Sequence, residues 1–226
     1  SGSGDVVEAK EKPATGGAVQ AGTGKKVYLT FDDGPSKETE KILDILKKRQ
    51  VKATFFSIGR DDAFSKKMYQ RIVKEGHTLG MHSYSHQYKE IYQSMDAFQA
   101  DYERISNCLT AATGIKPLYY RFPGGSTEVT EKLQMTDLDA YFNAQGASYF
   151  DWNVIAANNT TDDVSVNKMV DSVMNGVALY DTSIVLMYDS VDRKMTAKSL
   201  DSILDYLLKN GYEILPIDEN TIPIHH

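Results

Sequence analysis

Residues 27–35 read Val-Tyr-Leu-Thr-Phe-Asp-Asp-Gly-Pro. The run Val27–Phe31 is apolar and rich in β-branched and aromatic residues, which predicts a buried strand of a parallel sheet. Two adjacent carboxylates, Asp32 and Asp33, follow it directly, and Gly34 and Pro35 are residues that favour a turn. Turn chemistry alone does not explain two carboxylates placed immediately after an apolar strand, so this segment is a candidate functional site.

Strand-like and helix-like runs alternate along the rest of the chain, which is typical of parallel strands joined by crossover helices. Apolar residues recur at helical spacing over Lys37–Arg49, about Asp96–Ala112 and Lys194–Leu208, and further helices are expected in the other gaps. Seven strands are predicted, near Val27–Phe31, Ala53–Ser57, Thr78–Met81, Leu118–Arg121, Ala147–Asp151, Ser183–Met187 and Tyr212–Leu215.

The positions of the polar residues favour a β/α barrel over an open doubly wound sheet. They come at or just after the C-terminal ends of different predicted strands, and that face carries the active site in parallel β/α barrels. An open sheet would concentrate its site at one switch point. We therefore predict an α/β fold with about seven parallel strands. The polar residues are Asp32 and Asp33, His82 and His86, Arg121, Asp151, and Tyr188 with Asp189.

Length and composition indicate one globular domain. The chain has 226 residues, of which 41% are hydrophobic and 25% charged, and its net charge is −6. This acidic balance argues against nucleic acid and against anionic membranes as partners of the domain. A monomer is expected. The single Cys108 lies in a helical pattern and is expected to be structural.

The two ends differ in composition from the rest. Residues 1–24 begin with Ser-Gly-Ser-Gly and contain few apolar side chains, which predicts a flexible leader that includes a linker. His225-His226 is interpreted as the remainder of a tag. The catalytic domain is then expected over residues 25–224.

Asp33, His82 and His86 form a candidate metal-binding set. Histidines at i and i+4 share one face of a helical turn, and three protein ligands leave a position for water, as in catalytic zinc sites. A histidine pair alone is more often structural, but both segments here follow predicted strands. His77 does not extend the ligand spacing and is expected to serve packing or a turn.

Five segments together resemble the motifs of the polysaccharide deacetylases, the NodB-homology domains of carbohydrate esterase family four. The similarity covers about Lys26–Pro216 and implies a distorted (β/α) barrel. It also implies hydrolysis of N-acetyl, or less often O-acetyl, groups on a glycan such as peptidoglycan N-acetylglucosamine or a chitin-like oligosaccharide. The segments are Thr30-Phe31-Asp32-Asp33-Gly34-Pro35, His82-Ser83-Tyr84-Ser85-His86, Arg121-Phe122-Pro123-Gly124-Gly125, Asp151-Trp152-Asn153 and Leu186-Met187-Tyr188-Asp189.

The resemblance implies a role for each residue of the metal and base segments. Asp33, His82 and His86 would bind a divalent ion, with zinc expected first and cobalt, nickel or manganese as alternatives. Asp32 would be the general base, and Arg121 would hold it ionised and oriented.

Four further residues are implied in substrate binding: Phe122, Gly124, Trp152 and Leu186. The Gly124 N–H would help to stabilise the oxyanion. Many relatives have an aromatic residue at this position, so glycine is expected to leave one wall of the groove more open. Trp152 and Leu186 would receive the acetyl methyl, with ordinary core packing as the alternative. Tyr84, Tyr88 and Tyr92 are expected mainly to pack, with sugar stacking as the alternative.

The chain departs from the family pattern at Tyr188. Relatives have a histidine there that protonates the leaving amine and is tuned by the aspartate equivalent to Asp151. Tyr188 could act as a weaker acid or as an oxyanion donor, water or a substrate group could replace it, or the domain could bind metal and glycan with little turnover. Location outside the cell or in its envelope is expected, with tethering by a segment absent from this sequence as an option.

Overall fold

The computed structural model describes residues 24–129, 132–156 and 165–226. The strands are β1 Lys26–Asp32, β2 Thr54–Ser57, β3 Thr78–Met81, β4 Tyr119–Tyr120, β5 Ser148–Tyr149, β6 Val154–Ile155, β7 Thr182–Tyr188 and β8 Glu213–Ile214. The helices are α1 Lys37–Arg49, α2 Ala63–Lys74, α3 Tyr88–Ile91, α4 Met95–Thr113, α5 Met135–Gln145, α6 Val166–Val177 and α7 Met195–Lys209, and Ser126–Glu128 forms a 3₁₀ turn.

All strand pairs are parallel, in the order β5-β4-β3-β2-β1-β7-β6, with β8 beside β1. The sheet is curled like a half-barrel and the helices pack around it, so the predicted distorted (β/α) barrel is confirmed. All seven predicted strands are present. The additional strand β6 was not predicted, and it pairs with β7.

The pairing of β1 places its C-terminal end in the middle of the sheet. β7 pairs with β1 over all seven residues, and this register sets Asp32 beside Tyr188. On the other edge, β8 pairs with the first two residues of β1 and β2 pairs with the last three. Side chains at this end of β1 are therefore enclosed by neighbours on both sides.

Helix α1 begins where the sequence predicts it to begin. The Ser36 hydroxyl accepts a hydrogen bond from Glu38 N at 3.0 Å, and Ser36 N donates to the Thr39 hydroxyl at 2.8 Å. This reciprocal cap satisfies backbone donors that have no partner within the helix. Ile42, Leu43 and Leu46 then face the sheet and are fully buried. The cap thus fixes the helix directly after the Asp-Asp-Gly-Pro segment.

Aromatic side chains fill the part of the core between α4, α5 and the strands β4 and β5. Phe98 and Tyr120 lie 5.6 Å apart between ring centroids, and Phe122 and Tyr149 lie 5.0 Å apart, both in edge-to-face geometry. Within the described ranges, none of the helices combines the length and apolar character that crossing a bilayer requires.

Candidate active site

A cleft of about 410 Å³ opens at the C-terminal ends of the strands. This is the face on which a barrel of this kind places its functional residues, as the sequence predicts. Its lining includes most of the predicted site residues together with four that were not predicted. The lining residues are Asp32, Asp33, His82, His86, Tyr88, Gly124, Glu128, Trp152, Ile155, Leu186, Tyr188 and Arg193.

Asp33, His82 and His86 converge at one point of this cleft. Oδ1 of Asp33 lies 3.3 Å from Nε2 of His82 and 3.3 Å from Nε2 of His86. One ligand atom from each residue can be chosen so that all lie within 4.8 Å of one another. Two nitrogens and one oxygen at this spacing match the donor set of a divalent ion such as zinc.

The surroundings of the three ligands also fit a metal ion. Nδ1 of His82 lies 2.6 Å from the carbonyl oxygen of Arg121, so a proton on Nδ1 donates there and leaves the Nε2 lone pair facing Asp33. Asp33 Oδ1 is buried and lacks a conventional hydrogen-bond partner in the described residues. Burial would raise the pKa of the Asp33 carboxyl, but the two imidazoles outweigh it and lower that pKa below its usual range. The site therefore holds a carboxylate ready for a cation.

Arg121 and Asp32 form a buried ion pair beside the candidate metal ligands. Nη1 of Arg121 donates to Oδ1 of Asp32 at 2.9 Å and to the Thr30 hydroxyl at 2.7 Å. Its Nε and Nη2 donate to the carbonyl oxygens of Phe150 at 2.9 Å and Asp151 at 3.0 Å. Oδ2 of Asp32 lies 3.7 Å from Nε2 of His82. Burial raises the pKa of the Asp32 carboxyl against the opposing effect of Arg121, which favours a base able to accept a proton.

The two ligand segments have unusual backbone conformations. Four non-glycine residues have positive φ in the described ranges, and three of them lie in these segments: Asp33 at 77°, Ser83 at 73° and His86 at 57°. Such conformations cost side-chain-bearing residues free energy and persist only where neighbours fix them. The ligand geometry therefore depends on contacts outside the ligands themselves.

Asp189 fixes the segment that carries Asp33. This buried carboxylate accepts hydrogen bonds from the hydroxyls of Thr39 at 2.7 Å and Ser36 at 3.1 Å, and its own N–H donates to Asp32 O at 2.7 Å. A Cβ atom on Gly34 would lie 2.0 Å from Asp189 Oδ2, so only glycine allows the segment to approach so closely. Burial raises the pKa of Asp189 to about 7.

Tyr188 ends β7 and lines the cleft with its ring against Arg193. The guanidinium carbon of Arg193 lies 4.2 Å from the centre of the Tyr188 ring. Burial, followed by the charge of Asp32, raises the pKa of the Tyr188 hydroxyl to about 12. The phenol is therefore protonated at neutral pH and is a weak proton donor.

Asp151 is fully buried and does not line the cleft. Its Oδ1 accepts a hydrogen bond from Ser126 N at 2.8 Å, and its Oδ2 accepts one from His226 N at 2.8 Å and another from the Ser126 hydroxyl. Within the described residues no hydrogen bond joins Asp151 to Tyr188. The contact with His226 was not predicted from the sequence, and His225 stacks on Tyr149 in the same region, with 3.9 Å between the ring centroids.

The groove wall at Gly124 is not open as expected. A Cβ atom on Gly124 would lie 2.3 Å from Cγ of Glu128 and 2.9 Å from Cε2 of Tyr88, so these two side chains occupy the space. Gly124 has φ of 80°, which suits glycine. The wall is thus formed by a carboxylate and a phenol that come from other segments.

The remaining substrate-binding predictions divide into two groups. Trp152 and Leu186 line the cleft. Phe122 instead is 1% exposed and packs in the aromatic core, and it is absent from the cleft lining. It follows an arginine in sequence, but its side chain points to the opposite side of the backbone, as alternation along an extended segment requires.

Four cleft residues were not predicted as site residues: Tyr88, Glu128, Ile155 and Arg193. Tyr88 was one of three tyrosines for which sugar stacking was an alternative. Of the other two, Tyr84 packs under Arg104 at 3.8 Å and the buried Tyr92 donates a hydrogen bond to Pro123 O. Glu128 and Arg193 follow two of the motif segments by three and four residues, but they lie outside the motifs, so the motifs alone did not indicate them.

These observations define a hydrolase-like cleft with a candidate metal centre on a (β/α) barrel. The family model of the polysaccharide deacetylases matches residues 20–142. The chain is 30% identical over 205 residues to YheN of Bacillus subtilis, which is named as a polysaccharide deacetylase, and the match covers 89% of this chain and 70% of YheN. The chain belongs to the polysaccharide deacetylase family.

Other relatives agree with this assignment. Identity is 33% over 203 residues to the peptidoglycan-N-acetylglucosamine deacetylase PgdA of Listeria monocytogenes, covering 88% of this chain but 40% of that protein. The solved catalytic domain of peptidoglycan N-acetylglucosamine deacetylase from Eubacterium rectale superposes with a TM-score of 0.82 at 36% identity, covering 94% of this chain and 97% of that chain.

One solved relative is described as a pseudoenzyme. This family-four protein of Bacillus anthracis superposes with a TM-score of 0.70 at 25% identity, covering 84% of this chain and 63% of that chain. A mutant of the same protein is described as having restored enzymatic activity. The fold therefore occurs in proteins described as enzymes and in one described as a pseudoenzyme.

Proposed function

We propose that this protein is a metal-dependent hydrolase that removes N-acetyl groups from a polysaccharide. The observation that carries this proposal is the convergence of Asp33, His82 and His86 beside the buried Asp32–Arg121 pair in one cleft. Removal of O-acetyl groups would use the same site and is the less favoured option.

Asp33, His82 and His86 would hold the ion, and zinc suits two imidazoles and one carboxylate better than magnesium does. A divalent ion bound there would polarise an acetyl carbonyl and increase the acidity of a water molecule. The Asp32 carboxylate accepts the proton of that water, because Oδ1 is held by Arg121 and Oδ2 lies on the side of His82. Arg121 keeps Asp32 in place through a guanidinium that is itself fully buried.

The walls of the cleft bind the acetyl group. Trp152 and Leu186 provide apolar surface for the methyl group. The Gly124 N–H donates to the oxygen on which negative charge develops, the role that the family resemblance assigns to this position. Tyr88 and Glu128 offer a ring face and a carboxylate to the sugar.

The leaving amine needs a proton, and Tyr188 is the side chain placed where the family resemblance has its acid. A phenol whose pKa is about 12 donates a proton poorly at neutral pH. Slow turnover is therefore expected.

Peptidoglycan N-acetylglucosamine is the first substrate that we propose, with chitin-like oligosaccharides second. Relatives named for peptidoglycan support this choice. An acetylated glycan as partner, a monomeric state and location outside the cell or in its envelope belong to the same proposal.

A second candidate function is a metal- and glycan-binding domain with little or no turnover. Tyr188 favours it, because the expected histidine is absent and Asp151 is bonded to Ser126 and His226 instead. The pseudoenzyme relative makes this a realistic outcome for the fold.

Acetate release from N-acetylglucosamine oligosaccharides separates the two functions. The metal-free protein is assayed alone, with zinc and with cobalt, across pH 6 to about 9, a range that includes the reference pKa of histidine. Acetate that appears only with added metal supports the hydrolase. Retained binding of the oligosaccharide without acetate at any pH supports the binding domain, and neither binding nor acetate contradicts both.

A further inference from the structure

The segment from His82 to His86 contains two left-handed residues, Ser83 and His86. In an isolated peptide this conformation would be sparsely populated, because side-chain-bearing residues disfavour positive φ. His82 is held by its N–H, which donates to Ser57 O at 2.8 Å, and by its Nδ1 beside Arg121 O, and the Tyr84 carbonyl accepts a hydrogen bond from Gly59 N at 3.1 Å. These contacts leave the N–H groups of Tyr84, Ser85 and His86 without a partner. Something else must fix the turn so that both imidazoles face Asp33.

Asp101 makes three further hydrogen bonds, all to the middle of this turn. Its Oδ2 accepts hydrogen bonds from the Ser83 hydroxyl at 2.6 Å and from Tyr84 N at 3.1 Å, and its Oδ1 accepts one from Ser85 N at 3.0 Å. The Ser83 hydroxyl in turn accepts a hydrogen bond from His86 N at 2.9 Å. A continuous chain of hydrogen bonds therefore runs from Asp101 through Ser83 to a metal ligand.

The helix that carries Asp101 is firmly placed. Helix α4 is capped by Ser94 at its start and by Gly114, with φ of 78°, at its end. Phe98, Tyr102 and Ile105 are at most 1% exposed and fix one face of the helix in the core. Arg104, one turn after Asp101, lies over the Tyr84 ring at 3.8 Å. One rigid helix thus contacts the turn through two of its side chains.

We propose that Asp101 is a positioning residue of the metal centre, which holds the His82–His86 turn in its ligand conformation before a metal binds. It does not touch the metal or the substrate. It acts through Ser83 and through the backbone of Tyr84 and Ser85. This inference rests on the proposed metal site. Residues that orient metal ligands typically contribute about 10–100-fold to metal affinity when they are tested by substitution.

The test compares D101N with E103Q. Both substitutions remove one negative charge from α4, and Glu103 is exposed. Zinc affinity is measured by competition with a chelating dye. We expect D101N to weaken zinc binding by about 10–100-fold and E103Q by less than about twofold. D101N should weaken zinc binding by a smaller factor in the S83A variant than in the wild type, because both side chains act along one chain of hydrogen bonds.

Amide hydrogen exchange of the metal-free protein gives a second readout that does not depend on the metal. Exchange of the Tyr84, Ser85 and His86 amides should accelerate at least tenfold in D101N and remain unchanged in E103Q. Unchanged exchange, or a zinc affinity within twofold of wild type in D101N, overturns the role of Asp101. Absence of zinc binding in the wild type contradicts the metal site instead, and the exchange experiment then decides on Asp101 alone.

Discussion

Arg121 donates a hydrogen bond to Asp32 at 2.9 Å, and the two side chains are 0% and 4% exposed. A buried charge that loses its partner typically costs about 3–5 kcal/mol of stability. We therefore expect Arg121→Met to lower the free energy of unfolding by that amount in urea titrations. The matched control is Arg49→Met, because Arg49 pairs with the half-exposed Asp201 and Asp205 and should cost less than about 1 kcal/mol. If both variants lose the same free energy of unfolding, burial does not explain the cost of removing Arg121.

Tyr188→His should increase acetate release. An imidazole with a pKa near neutrality is a better proton donor than a phenol at about 12, and a positioned general acid contributes about 10²–10⁴-fold. We expect at least a tenfold gain in kcat, less than the full range because Ser126 and His226 already occupy the Asp151 carboxylate. Tyr188→Phe keeps the ring on Arg193 and removes the hydroxyl, so it tests whether the phenol donates at all. Activity that is absent in all three proteins would favour the binding function.

Zinc should stabilise the folded protein. At a concentration one hundred times its Kd, a ligand adds about 2.7 kcal/mol to the free energy of unfolding. Thermal unfolding with and without zinc should show this as a rise in Tm. His86→Ala should abolish the rise with little effect on the metal-free Tm, since the His86 side chain is 30% exposed. His225→Ala is the control and should keep the zinc-dependent rise in Tm. If this variant loses the rise, zinc binds at His225 and not at the cleft.

His77 should make stability depend on pH. Its Nδ1 accepts a hydrogen bond from Ala53 N at 3.1 Å, and burial, with Lys52 nearby, lowers its pKa from 6.5 to about 4. The unfolded chain therefore binds a proton first as the pH falls, so the folded state loses stability between pH 6.5 and 4. This contribution amounts to at most about 3 kcal/mol. Urea titrations at both pH values should show a smaller change in the free energy of unfolding for His77→Gln than for the wild type. Equal changes in the two proteins would show that His77 is not the cause.

Much of the fold follows from local sequence signals. The Ser36 cap and the apolar spacing of Ile42, Leu43 and Leu46 specify α1, which begins and ends at the predicted residues. Long buried strands such as β1 and β7 are equally readable. Strand β6 was missed, because no apolar alternating run marks Val154–Ile155 and the strand is defined by its pairing with β7.

The candidate site was predictable where adjacent residues carry its chemistry. Asp32-Asp33 and the His82–His86 spacing indicate a metal and a base without any structure. Glu128 and Arg193 could not be predicted, because each reaches the cleft from a loop whose path depends on packing. Phe122 shows the converse error, since its neighbour in sequence, Arg121, belongs to the site while its own ring belongs to the core.

The sequence alone determined the order of strands and helices along the chain, the candidate ligand set and the departure at Tyr188. Each of these depends on residue identity and short spacing. Tertiary structure decided which groups meet across long separations. It brought Asp101 under the histidine turn, set Tyr88 in the space beside Gly124, and joined Asp151 to Ser126 and His226. These contacts depend on the register of parallel strands and on the packing of helices around them, which no local pattern encodes.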